Sequence, residues 1–341
     1  MRRARDLLKL DQVGIHESFF ELGGHSLLAV RLRTTIRKEF DRDVPLVALF
    51  DKSTIAQLGE FLDGAGDKSS AGILVCIQPE GRGTPLFCVH PVGGNVLCYA
   101  DLAREMGKDR PFYGLQSPVP DPESREFLDI AGMAAVYIEE IRKVQPAGPY
   151  LLGGWSMGGL IAFEMARQLA GQGEATELLA MIDTHPPSAA RKVDAPMLAR
   201  FAADIGRVLG IELRGLAKQF LELGEQEQWR LLMETLIQQG VLERKTAQRQ
   251  LTDMFNVFTQ NSLAFESYSM PKMPQRVTLF RASQAEAPEQ LASEWEEWTG
   301  QKVELLMAPG DHYSMMQKPN VSRLADLLKS HLEKQEAARA R

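Results

Sequence analysis

A chain of 341 residues is long for one domain and accommodates two, and 44% hydrophobic with 25% charged residues is an ordinary globular composition. Its net charge of −6 argues against a nucleic-acid binder, which carries a basic excess. There is no apolar run of membrane-span length, no signal-peptide core at the start, and no metal or disulfide spacing among Cys76, Cys88 and Cys98, so the expectation is a reduced, cytoplasmic protein without membrane association or metal.

Ala4, Leu7, Leu8 and Leu10 predict the tail of an amphipathic helix over 4–10. Leu28, Leu32, Ile36 and Phe40 recur at i, i+4 and predict a second helix. Ser53 or Thr54 can cap a further one through Ile55, Leu58, Phe61 and Leu62. Residues 1–63 therefore read as a small all-α bundle with a core marginal for its size. Ser26, directly after Gly24 and His25, stands where an N-cap is common. A hydroxyl in that place can also carry a phosphodiester, because the helix dipole and free amides favour negative charge.

Residues 64–72 are rich in glycine and serine, the composition of a flexible linker. Beyond them, strands are predicted at 73–77, 86–90, 111–115, 150–155, 178–183, 276–281 and 303–307. Helices are predicted at 95–106, 127–144, 157–170, 288–298 and 321–336. Such alternation implies a mostly parallel sheet covered on both faces over 73–341. The strand at 150–155 runs into Gly154-Trp155-Ser156-Met157-Gly158 and straight on into a helix, the context of a nucleophile elbow, so an α/β-hydrolase domain is predicted. Helical periodicity over about 187–268 predicts an insertion, read as a lid.

A serine hydroxyl needs a base, and the base needs an orienting acid; on this fold they follow in the order Ser, acid, His. His312, in the loop after the last strand, is the candidate base. His331 lies in a charged terminal helix, His185 in a loop beside Pro186, and His16, His25 and His90 precede the elbow. Asp183, at the end of its strand, is the candidate acid, with Asp311 the alternative. Two amides must face the developing oxyanion. Met157 supplies one and Val92 is the candidate for the other, since Pro91 has no N–H.

The run Phe19-Phe20-Glu21-Leu22-Gly23-Gly24-His25-Ser26-Leu27-Leu28 resembles the signature of peptidyl carrier domains of nonribosomal peptide synthetases, over about residues 5–63. That resemblance implies 4′-phosphopantetheine on Ser26, placed there by a phosphopantetheinyl transferase. The family's first helix starts further upstream, which implies a piece of a longer synthetase with condensation and adenylation domains ahead. His90-Pro91-Val92-Gly93-Gly94-Asn95, Tyr113-Gly114-Leu115-Gln116, Gly154-Trp155-Ser156-Met157-Gly158-Gly159, Ile182-Asp183-Thr184 and Gly310-Asp311-His312-Tyr313 resemble the C-terminal, type I thioesterase domain of the same synthetases, over about 74–335. The resemblance implies a triad of Ser156, Asp183 and His312 that releases a peptidyl or acyl chain by hydrolysis or macrocyclisation, as in antibiotic biosynthesis. The rival readings are a free-standing serine esterase with an unrelated helical domain, and an interaction module on an inactive hydrolase scaffold.

Overall fold

The computed structural model describes the chain except residues 1, 25, 43, 45–47, 65–71, 119–127, 188–194, 212–219, 221, 340 and 341. Residues 65–71 of the predicted linker at 64–72 and parts of the predicted insertion thus lie outside the described residues. The chain divides into two compact units, residues 1–72 with 193–259, and residues 73–192 with 260–341.

In the first unit, α1 (Arg2–Leu8), α2 (Ser26–Phe40), α3 (Ala48–Asp51) and α4 (Ile55–Asp63) form the N-terminal bundle. The buried stripe of α2 is Ala29, Leu32 and Ile36, whereas Phe40, predicted on that face, is 61% exposed because the helix ends there. Thr54 is the cap of α4: its hydroxyl accepts from Gln57 N, and the Gln57 side chain accepts from Thr54 N, both at 3.2 Å. The loop before α2 is tied down by Phe19 N to Ser53 O at 2.7 Å and Gly24 N to Phe19 O at 2.9 Å.

The same unit holds α8 (Met197–Leu209), α9 (Glu225–Gln238) and the first part of α10 (Ala247–Ser267). Phe201 meets Phe255 and Phe258, and Trp229 meets Phe255, with ring centroids 5.4–5.5 Å apart. These aromatic contacts give the three helices their own apolar seam. The turn after α9 is bonded to α2: Arg31 Nε donates to Gln239 O at 3.0 Å, Thr34 Oγ1 donates to Val241 O at 3.2 Å, and Arg37 pairs with Glu243 at 3.3 Å.

The second unit is built on a seven-stranded sheet in the order β1-β3-β2-β4-β5-β6-β7. The strands are β1 (Leu74–Gln78), β2 (Leu86–Val89), β3 (Phe112–Leu115), β4 (Tyr150–Trp155), β5 (Thr176–Ile182), β6 (Thr278–Ala282) and β7 (Glu304–Ala308). Only β1 runs antiparallel to its neighbour; the other pairs are parallel. All seven predicted strands form. The central ones, β2, β4 and β6, are buried along their whole length, as apolar runs covered on both faces should be. The covers include α6 (Ile130–Arg142) and α7 (Met157–Gly171), α11 (Pro288–Thr299) and α12 (Asn320–Arg339). The helix predicted at 95–106 is a 3-10 turn, Leu97–Tyr99, followed by α5 (Ala100–Met106). Asp129 caps α6 by accepting from Gly132 N at 2.7 Å, so that helix starts at Ile130, and residue 127 of the prediction lies outside the described residues. Among the described residues no helix is long and apolar enough to cross a membrane.

Candidate active site

The strand β4 ends at Trp155 and α7 begins at Met157, so Ser156 alone makes the turn, at φ 57° and ψ −124°. A serine is held there only when its surroundings compel it, which is the signature of a functional turn. Its N–H donates to Ile182 O at 2.9 Å, tying the elbow to the end of β5. Trp155 N donates to Tyr99 Oη at 2.8 Å, and Tyr99 donates in turn to Val89 O at 2.5 Å. One buried phenol thus joins the ends of β2 and β4, the two strands that lead to the Val92 loop and to Ser156.

Asp183 follows the last residue of β5 at φ 46° and is 2% exposed. Its Oδ2 meets His312 Nδ1 at 2.6 Å. Its Oδ1 accepts from Arg281 Nη1 at 2.7 Å and from Ala282 N at 3.2 Å. Burial opposes ionisation of Asp183, but the His312 hydrogen bond, the charges of His312 and Arg281 and the Ala282 amide outweigh it and hold the carboxyl at about 2. The alternative acid, Asp311, instead closes a turn, with Oδ1 accepting from Tyr313 N and from Ser314 N and Oγ at 2.8–3.0 Å.

A pKa lowered on folding stabilises the fold above the unfolded value, near 4, and that contribution disappears as pH falls toward 2. For Asp183 it amounts to about 2 kcal/mol. Urea unfolding between pH 5 and pH 2 should therefore show a steeper loss of stability in the wild type than in Asp183→Asn. Parallel curves would mean that the carboxylate is not held in this way.

His312 is set beside the elbow by Trp155, whose Nε1 donates to His312 O at 3.0 Å and whose ring lies 5.2 Å from the imidazole. The His312 side chain keeps 32% exposure, so one edge of the ring faces open space. Ser156 Oγ and His312 are not hydrogen-bonded to each other here; such bonds are often long before substrate is bound and tighten with it.

The loop after β2 presents Val92. His90 is completely buried, and burial, only partly offset by its bond to Pro91 O, pushes its pKa down to about 4. Neutral imidazole has one N–H, and a carbonyl can only accept. Nδ1 therefore donates to Pro91 O at 2.7 Å, and Nε2 accepts from Tyr137 Oη at 2.7 Å. The Pro91–Val92 peptide is trans and planar, so the Val92 N–H points away from the carbonyl that His90 holds. Asn261 Nδ2 fixes the next peptide by donating to Val92 O at 2.9 Å. Met157, as the first helical residue, has an N–H with no intrahelical acceptor.

Sequence reasoning missed Arg281, Tyr99, Tyr137 and Asn261. Arg281 alone carried a signal, a charge inside the apolar run Leu279-Phe280-Arg281-Ala282. His185, read as a loop residue, is in a loop, with Nε2 3.0 Å from Arg281 Nη1. Among the described residues no group of three His, Cys, Asp or Glu side chains could hold a metal ion.

In the N-terminal bundle Ser26 opens α2, a helix of 15 residues; its hydroxyl and all of His25 lie outside what is described. A Cβ on Gly24 would sit 2.4 Å from the Phe19 ring, so the approach to the helix is closely seated on the bundle. A serine at a helix start whose first amides lack intrahelical acceptors is a fitting anchor for a phosphodiester.

Family models agree with both units of chemistry. A thioesterase domain model matches residues 84–332, and a phosphopantetheine attachment site model matches residues 2–62. The chain is 44% identical over 181 residues to a dimodular nonribosomal peptide synthase of Bacillus subtilis (strain 168), covering 53% of this chain and 8% of that protein. It is 30% identical over 342 residues to the chondramide synthase cmdD of Chondromyces crocatus, covering 96% of this chain and 9% of that one. A crystal structure of a holo four-domain nonribosomal peptide synthetase bound to AMP and glycine superposes with a TM-score of 0.73 at 30% identity, over 96% of this chain and 25% of that chain. The chain thus spans less than a tenth of the length of either synthase. With more than half of its length matched by one model and its first 62 residues by another, the chain belongs to the thioesterase-domain family, preceded by a carrier domain for phosphopantetheine, the pairing found in nonribosomal peptide synthetases.

Proposed function

We propose that this chain releases a peptidyl or acyl group from its own carrier domain, with Ser156 as nucleophile, His312 as base, Asp183 as orienting acid, and the Val92 and Met157 amides as the oxyanion hole. The observation that carries the reading is the 2.6 Å contact between Asp183 and His312, with His312 fastened through Trp155 to a serine in a strained elbow. On this reading residues 1–63 are the carrier, 64–72 the linker and 73–341 the thioesterase domain, with a helical lid over about 187–268. Ser26 would hold the 4′-phosphopantetheine, which supplies a thiol that presents the acyl group as a thioester.

His312 takes the hydroxyl proton as Ser156 Oγ adds to the acyl carbonyl carbon. The oxygen becomes an oxyanion between two amides that are already oriented, so stabilising it requires no reorganisation. Asp183 keeps His312 in the tautomer that accepts at Nε2 and stabilises the imidazolium. When the tetrahedral adduct collapses, the C–S bond breaks and His312 returns the proton to the departing sulfur. Water, or an amine or hydroxyl within the acyl chain, then attacks the Ser156 ester with His312 again as base, giving an acid or a ring. Carrying both domains in one chain raises their effective concentration, so little intrinsic affinity between them is needed. The partners are a phosphopantetheinyl transferase and the condensation and adenylation domains of a longer synthetase, in the cytoplasm.

The test loads Ser26 with acyl-pantetheines, some bearing a distal amine or hydroxyl, by a promiscuous phosphopantetheinyl transferase, and follows intact-protein and product masses. The acyl mass should leave the wild type, and the product mass, acid or acid minus water, names the release mode. Ser26→Ala should never gain the arm. A wild type that does not accept the arm would leave a lone esterase as the better reading.

A further inference from the structure

Asp183 is gripped by three consecutive residues of β6. Its N–H donates to Phe280 O at 2.8 Å, while Arg281 Nη1 and Ala282 N both donate to its Oδ1, at 2.7 and 3.2 Å. With Oδ1 taken twice, Oδ2 is left for His312. Arg281 itself is 5% exposed, a place where a charge is costly unless it is paired. Its Nη2 donates to Glu286 O at 3.2 Å and its Nη1 also lies 3.0 Å from His185 Nε2, whereas its buried Nε has no partner among the described residues. Arginine can only donate, so His185 faces it with an accepting, unprotonated nitrogen. A guanidinium is therefore kept buried, incompletely satisfied, on the far oxygen of the carboxylate that orients the base.

We propose that Arg281 is a positioning residue for the release reaction: it locks the rotation of the Asp183 carboxylate so that Oδ2 stays aimed at His312. The proposal rests on the triad reading of Ser156, Asp183 and His312. The lock aims Oδ2 at Nδ1, which leaves Nε2 as the accepting nitrogen of the imidazole. Among the described residues, His185 from the loop after β5, and Asp311 and Tyr313 on the His312 loop, also stand beside the pair. Asp311 is occupied by the turn at Tyr313 and Ser314, the Tyr313 ring stands edge-on to the imidazole at 5.0 Å, and Glu286 offers Arg281 only its carbonyl. Arg281 is thus a fixed positive charge bonded to this carboxylate.

The experiment measures p-nitrophenyl butyrate hydrolysis by the full chain between pH 5 and 9, a substrate that needs no arm on Ser26. The proteins are wild type, Arg281→Gln, Arg281→Lys, Asp183→Asn and the double variant Asp183→Asn with Arg281→Gln. Arg281→Gln should lower kcat by about 10- to 100-fold with KM changed less than about twofold. Arg281→Lys, which keeps a donor but loses the fork, should also lower kcat, by less. In the Asp183→Asn background Arg281→Gln should cost less than about twofold, because the group it acts through is gone. An unchanged kcat in Arg281→Gln, or an equal cost in both backgrounds, overturns the proposal and leaves Arg281 a structural tie. If Arg281→Gln does not fold, Arg281→Lys decides the matter: a wild-type kcat with the fork gone overturns it. Wild-type activity in Asp183→Asn would sink the triad reading and this proposal together; loss there with an equal cost of Arg281→Gln in both backgrounds sinks this one alone.

Discussion

Ser156→Ala, loaded with an acyl-pantetheine on Ser26, should hold its acyl mass through many wild-type half-lives. The release rate should fall by on the order of 10⁴-fold or more, the scale seen when a triad nucleophile is removed and only the oxyanion amides and binding remain. The size of the effect follows from the geometry. The turn consists of one residue, with β4 ending at Trp155 and α7 beginning at Met157, so no neighbouring side chain can take the place of the hydroxyl. The alanine keeps its N–H bond to Ile182 O and the peptide planes on either side, so the fold has no reason to change. Time-resolved intact mass spectrometry separates the two outcomes without a product assay. Release within tenfold of wild type would mean that water or another group attacks the thioester directly, and the acyl-enzyme route would be wrong.

Gly158→Ala should cost the second unit more than about 3 kcal/mol, since overpacking against rigid backbone lies at the upper end of what added methyl groups do. A Cβ at this position would stand 2.1 Å from Val89 O and 2.7 Å from His90 O, both backbone atoms. Val89 O is held by the Tyr99 hydroxyl, and the Pro91–Val92 peptide just beyond is held by the His90 ring. To admit the methyl group, α7 must lift away from β2, which separates Met157 from Val92, the two amides proposed for the oxyanion hole. Activity should therefore fall even in molecules that remain folded. Chemical unfolding followed by near-ultraviolet circular dichroism, alongside p-nitrophenyl butyrate hydrolysis, would test both. A variant with unchanged stability would show that the close approach of α7 and β2 is not obligatory.

Much of this was legible before any coordinates. The parallel sheet was readable because its central strands are buried on both faces and so are written as short continuous apolar runs, such as Leu86-Phe87-Cys88-Val89 and Tyr150-Leu151-Leu152. The elbow was readable because a one-residue turn between strand and helix admits so few side chains around it. Helix ends were harder to read. Phe40 fits the periodic stripe of α2 but falls at its last residue, where no neighbour covers it.

The sequence by itself determined which residue types stand at the ends of which strands: a serine after β4, an aspartate after β5, a histidine after β7 and a glycine-bearing loop after β2. Those are local matters of turn chemistry, periodicity and order along the chain. Only the tertiary structure decided how that machinery is held. Arg281 reaches Asp183 across 98 positions of sequence, Asn261 reaches Val92 across 169, and Tyr99 joins Val89 to Trp155. No local rule encodes such pairings, because the partners are chosen by strand order and by how helices seat on the sheet. The burial that makes a lone arginine or histidine informative exists only once the layers have closed.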